Sequence, residues 1–225
     1  MGVGHAQTSM VDPGLYDIGT SNTEFAGRGS LEFDPPTRGN VWIIGNATTI
    51  ASEPTRPSNP WTPVLGQPQP FELDYNVDTG DISWSLLGTT LTGNHALPAG
   101  TGLAYLIPLS VIQTPAGAPD NLTKLSDVTV AVNGGLGTNW GDWAATGNSI
   151  NDGVIYFTQY DVHTVKVTGS LTFDVPAAWP GDINGAYADI TVASATPVPE
   201  PATLAVVGIG LAAVARKRRN PKSKI

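Results

Sequence analysis

The 225-residue chain carries eleven Lys and Arg against nineteen Asp and Glu, a formal charge of −8, and it has no Cys. The lack of Cys excludes a disulfide framework and any thiolate metal site, and the acidity argues against a nucleic-acid partner, whose phosphates would be repelled. Charged residues are only 13% of the chain while Gly and Pro are frequent, a composition without Lys- and Glu-rich helices but short of disorder.

The charge is unevenly placed. Residues 1 to 194 hold five cations against eighteen carboxylates, a formal −13, whereas from Ala195 onward six cations face one carboxylate, a formal +5. A body of this length can bury one substantial core, since all-β domains commonly reach 200 residues.

Met1 to Met10 contains no apolar core of the length a secretion signal needs. Gly4-His5-Ala6 before Gln7 does place small residues where a signal peptidase requires them, so the expectation is an upstream start, residues 1–6 as a signal remnant, and a mature body from Gln7. Val11 to Gly29 is rich in Gly and polar residues, and the first alternation is expected at Ser30 to Phe33. Val41 to Ser52 follows with both faces apolar, which predicts a central, covered strand. Six prolines between Pro54 and Pro70 predict a loop or an edge, with Trp61 capping the core.

Phe71 to Leu87 is the clearest hairpin. To put Leu73, Tyr75 and Val77 on the same face as Ile82, Trp84 and Leu86, paired numbers must sum to an odd value; pairing Val77 with Ile82, Tyr75 with Trp84 and Leu73 with Leu86 leaves the four-residue loop Asp78 to Asp81. A three-residue loop would turn Asp81 inward and bury a carboxylate. Gly102 to Ile112, Leu125 to Val132, Val154 to Gln159 and Ala186 to Ala193 read as further strands. Between Leu125 and Ala193, His163 to Val175 alternates over thirteen residues, with His163, Val165, Val167, Leu171, Phe173 and Val175 inward and a bend or bulge at Gly169. About nine short strands and no amphipathic helix predict an all-β fold, an antiparallel β-sandwich of possible jelly-roll kind.

Candidate chemistry is sparse. His5, His95 and His163 are the only imidazoles; His163 is expected as a hydrogen-bonded core residue and His95 in a polar turn without an orienting neighbour. No nucleophile elbow, phosphate loop or paired-His metal pattern occurs, so no catalytic residue, metal or cofactor is assigned. Asp182-Ile-Asn184-Gly185 opens like a calcium loop but lacks the later ligands, and a plain turn explains it better. Trp140 and Trp143, with Asn139 and Asp142, have the composition of a glycan-binding platform; the competing reading folds both Trp rings back under the Gly-rich stretch from Gly134 to seal the sandwich.

The last thirty residues organise the chain. Pro197 to Pro201 is extended by its prolines, Ala202 to Ala215 is a run without charge, and Arg216, Lys217, Arg218 and Arg219 form a cationic cluster. Fourteen residues give a helix of about 21 Å, short of the roughly 30 Å hydrocarbon core. The flanking cations are nevertheless a stop-transfer and positive-inside signal, and their long stems snorkel to lengthen the span. A C-terminal transmembrane helix with a cytoplasmic basic tail is therefore expected.

This segment resembles the PEP-CTERM sorting signal. The resemblance covers about thirty residues and implies recognition of Pro199, Glu200 and Pro201, with Arg216 to Arg219 as the stop-transfer element, by an exosortase, a membrane-embedded transpeptidase-like enzyme of Gram-negative bacteria. It further implies an exported protein, anchored transiently in the inner membrane and then released to the cell surface, in a setting of biofilm and extracellular polysaccharide. The expected organisation is a body over 7–194, a Pro-rich tether over 195–201, a transmembrane helix over 202–215 and a basic tail over 216–225. The expected role is a non-catalytic structural or matrix-associated surface protein, with a carbohydrate-binding module using the Trp loop as the alternative and a secreted hydrolase as a weaker one.

Overall fold

The computed structural model describes residues 8–9, 14–31, 41–46, 58–60, 62–112, 121–147, 149–159, 161–175 and 186–198. These form thirteen strands and no helix. They are β1 (Thr8–Ser9), β2 (Tyr16–Leu31), β3 (Val41–Asn46), β4 (Ser58–Pro60), β5 (Gln69–Asn76), β6 (Asp81–Leu86), β7 (Thr89–Asn94), β8 (Gly102–Ile112), β9 (Leu122–Val132), β10 (Thr138–Thr146), β11 (Ser149–Tyr156), β12 (Thr164–Asp174) and β13 (Ala186–Pro197). They make two sheets, in the orders β1-β11-β8-β13-β2-β3-β4 and β10-β9-β12-β5-β6-β7. Pairing is antiparallel throughout except for β1, which runs parallel along the edge of β11. The all-β, two-sheet architecture follows from the alternation of the sequence; the expected helix over 202–215 lies outside the described residues.

The inner faces meet in one core. Phe25, Phe71, Leu73, Tyr75, Trp84 and Phe173 lie at its centre, each no more than 3% exposed. Three glycines admit its large rings. A Cβ on Gly27 would stand 2.9 Å from the Trp84 ring, one on Gly169 would stand 2.9 Å from the Phe71 ring, and one on Gly153 would overlap the Trp143 indole. The glycine at 169 thus serves ring packing, and it coincides with the expected bulge, a register shift against β9 between Thr168 and Ser170.

Several expectations are corrected. β2 begins at Tyr16, well before Ser30; Gly27, which lies against the Trp84 ring, takes an inward position without a side chain and so hides the hydrophobic alternation. β7 and β10 were not expected. The first is a polar edge, and the second is broken by irregularities around Gly141. β3 has both faces covered at Ile43 and Ile44, as expected, but it is one strand from the edge rather than central. β4 supplies that edge, within the Pro-rich segment.

The β5–β6 hairpin keeps the odd-sum parity but pairs two residues earlier, Leu73 with Trp84 and Tyr75 with Ile82. The Asn76 side chain sets this register: its Oδ1 accepts the N–H groups of Asp78 and Thr79, while Gly80 N–H donates to the Asn76 carbonyl at 2.8 Å. The loop is consequently Val77 to Gly80, closed at Gly80 with φ +77°. His163 is not a core residue. It is exposed and stands 3.0 Å from Asp78, whose carboxylate raises the imidazole pKa. Trp61, the expected turn at Asp182 to Gly185 and residues 1–7 lie outside the described residues.

Candidate functional site

β13 carries the chain toward its C-terminal segment through the middle of the seven-stranded sheet, paired with β8 on one side and β2 on the other. Its sequence from Ala186 to Ala195 is made of small or β-branched residues apart from Tyr187 and Asp189, and both of its faces are largely buried. The expected tether over 195–201 is corrected at its first residues. Ala195 is fully buried, Thr196 and Pro197 pair with Asp17 and Tyr16, and Val198 N–H donates to the Leu15 carbonyl at 2.7 Å. The ladder therefore reaches Pro197, because β2 starts at Tyr16 and offers partners to that point.

The packing at this exit is tight. Tyr16, Ala104 and Ala195 form a small second cluster, bordered by Leu15, Ile18 and Tyr105. A Cβ on Gly102 would touch both the Tyr16 ring and Pro197, and the Tyr16 hydroxyl donates to the Gln159 carbonyl at 3.2 Å. Three segments thus close around the emerging strand: the starts of β2 and β8 and the loop after β11.

One residue inward lies a polar cluster that the sequence did not announce. Glu24, 8% exposed, accepts a short hydrogen bond from the Ser194 hydroxyl, and its other oxygen is 3.3 Å from His95 Nε2. The Tyr75 hydroxyl donates to the His95 carbonyl at 3.0 Å, and burial, followed by the Glu24 charge, pushes the phenol pKa up. The partner that orients His95 is thus 71 residues away in the chain, and nothing adjacent to His95 in sequence marks it. The order of contacts is serine, carboxylate, imidazole. Ser194 is 0% exposed and Glu24 8% exposed, and the cluster ties β13, β2 and the β7–β8 loop together.

The tryptophan stretch forms strand β10 instead of an exposed loop. Trp143 is 2% exposed in the core against Gly153, which leaves no ring face for a sugar, so a two-Trp platform is not formed. Asp142 accepts the Asp127 N–H and ion-pairs with Lys124; that cation holds the Asp142 pKa below the usual carboxylate value. The Asn139 side chain accepts the Gly141 N–H within its own bulge. Trp140 is only partly buried and lines a cleft of about 320 Å³ with Val130, Thr138, Tyr156 and Gln159, at the same end of the sandwich as the exit of β13. No group of three or more potential metal ligands occurs among the described residues.

A family profile for the PEP-CTERM protein-sorting motif matches residues 197–219. No curated protein matches the chain. The matched segment begins on the last residue of β13, contains Pro199, Glu200 and Pro201, and ends on Arg219. The chain therefore carries a PEP-CTERM sorting signal, and the signal implies export, processing by an exosortase at a membrane, and delivery to the surface.

Proposed function

We propose that this protein is a non-catalytic structural component of an extracellular matrix in a Gram-negative bacterium, held in the inner membrane by its C-terminal helix until an exosortase processes it. The observation that carries the reading is the sorting signal over residues 197–219, placed directly after the central strand of a folded domain. Arg216 to Arg219, following a run with no charge, act as the stop-transfer cluster. The body's formal −13 keeps copies dispersed after release. Exosortase systems accompany extracellular polysaccharide in the family that the signal resembles, so a glycan is the partner class.

The test is fractionation of the native matrix. Digestion of its polysaccharide should release the protein, while chelation and salt should leave it bound. Recovery of all the protein in culture medium before digestion would contradict the matrix role, and turnover of the polysaccharide by the purified body would contradict the non-catalytic one.

The half-exposed Trp140 and its cleft favour direct glycan contact as a second reading. A Trp140→Ala variant should then lose polysaccharide retention by tenfold or more, on the order of 1.4 kcal/mol or above, while keeping a cooperative unfolding transition.

A further inference from the structure

Two open sheets have four edge strands, and three of these are closed against pairing with another chain. β1 is two residues long, and β4 is three residues ending in Pro60. β10 is irregular on both sides of Gly141, and side chains of the facing sheet take up its backbone. Ser110 Oγ donates to the Trp143 carbonyl and Asn151 Nδ2 to the Ala144 carbonyl, both at 3.0 Å, while the Thr146 N–H donates to Ser149 Oγ at 2.9 Å. β7 has none of these protections. Thr89 to Asn94 contains no Lys, no Pro and no charge, pairs with β6 without a register shift, and among the described residues has no strand on its other side.

The turn before β7 fixes which of its backbone groups are free. Leu87 and Gly88 have φ of +50° and +78°, a two-residue turn of the I′ kind, so Leu86 and Thr89 exchange ladder bonds. Alternation then keeps Leu91 and Gly93 bonded to β6, and the His95 N–H continues the series by donating to the Gly80 carbonyl at 2.7 Å. The N–H and C=O groups of Thr90, Thr92 and Asn94 therefore point away from the sheet, and all three residues are exposed. Two of their side chains are tied back onto it. The Thr90 and Ser85 hydroxyls are 2.7 Å apart, and Asn94 Nδ2 donates to the Thr79 carbonyl at 2.9 Å and to Asp81 at 3.0 Å.

We propose that β7 pairs with β7 of a second copy of this chain, antiparallel about a two-fold axis at Thr92, joining two six-stranded sheets into one of twelve strands. Thr92 then faces Thr92 of the other copy and Thr90 faces Asn94, the one register that engages all three outward residues on both strands. On the core-side face it sets Leu91 beside Gly93 of the other copy, large against small. Charge favours the same place. The body is formally −13, so copies repel over most of their surface, whereas β7 carries no charge. Asp81, the nearest carboxylate on the ladder, lies about 20 Å from its counterpart by strand spacing and rise, beyond the roughly 8 Å screening length. Pairing occupies the edge on both copies, so association stops at two and the charge disperses pairs.

This contact needs neither the anchor nor a glycan, and its failure leaves the export reading standing. The test is sedimentation equilibrium of the purified full-length chain, with nonionic detergent covering the apolar run. The parent should be a dimer at micromolar concentration. Thr92→Lys, which sets two ammonium groups side by side at the axis, should weaken the dimer about tenfold or more while keeping the parent's unfolding midpoint, because the residue is exposed. The chain has no cysteine, so oxidative cross-linking reads the register without background. Thr92→Cys should cross-link to itself, since opposed hydrogen-bonded residues have Cα atoms about 5.5 Å apart, within disulfide reach. Thr90→Cys stands about 14 Å from its own counterpart and should not. A monomeric parent overturns the proposal, as does a dimer that Thr92→Lys leaves unchanged. Equal cross-linking at 90 and 92 overturns it too.

Discussion

Arg28 reaches Asp189 across the β2–β13 pair, with Nε at 3.0 Å and Nη2 at 2.7 Å from the same carboxylate oxygen, while its guanidinium lies 4.0 Å above the Tyr187 ring. Asp189 is 1% exposed, so burial pushes its pKa up and Arg28 pulls it back toward the charged form. Arg28→Ala leaves that carboxylate without its cation and should lower stability by about 3–5 kcal/mol, read from denaturant midpoints at constant slope. The exposed pair of His163 and Asp78 behaves differently. Asp78 raises the imidazole pKa above 6.5, so the pair contributes in full below pH 6.5 and its contribution fades as pH rises through the raised value. A His163→Gln variant should therefore fall short of the parent in acid and match it in alkali; a deficit that grows with pH would show that the histidine does something else. Neither pair was legible in the sequence. Strand alternation assigned His163 to the core because it stands in phase with the periodic run, whereas the ladder starts one residue later, at Thr164.

Strand interiors were legible wherever both the inward side chains and the spacing were regular. Gly102 to Ile112 has the bounds that its apolar pattern predicts, and β12 keeps Val165, Val167, Leu171 and Phe173 inward. Legibility failed where glycine replaces an inward hydrophobe. On β2 the space above Gly27 is occupied by Trp84, so the sequence displays a gap where the structure has a contact. Gly27→Ala should overpack this site and cost about 1–3 kcal/mol, checked by thermal or denaturant unfolding; an unchanged midpoint would mean that the ring moves freely. Turn chemistry defeated the register of the β5–β6 hairpin for a related reason. Face parity restricts the sum of paired numbers to odd values, and only the Asn76 side chain, through its bonds to Asp78 and Thr79, selects between two registers that parity leaves equal.

At the scale of the whole molecule the sequence divides cleanly, into an acidic two-sheet body and a cationic C-terminal segment. The signal was legible because its chemistry is local: three residues, an uncharged run and four cations in fixed order. The relation between signal and body was not, since it depends on β2 starting early enough to extend the ladder to Pro197. That same ladder ends on Pro197, the first residue of the sorting-motif match. The measurement that bears most directly on this reading is the C-terminal mass of the protein recovered from its native cell surface, compared with a Glu200→Ala variant. Processing predicts that the native protein lacks the segment ending in Ile225 while the variant keeps it and stays in the inner membrane. Retention of Ile225 by both, with equal membrane content, would contradict it and leave the segment as a plain anchor.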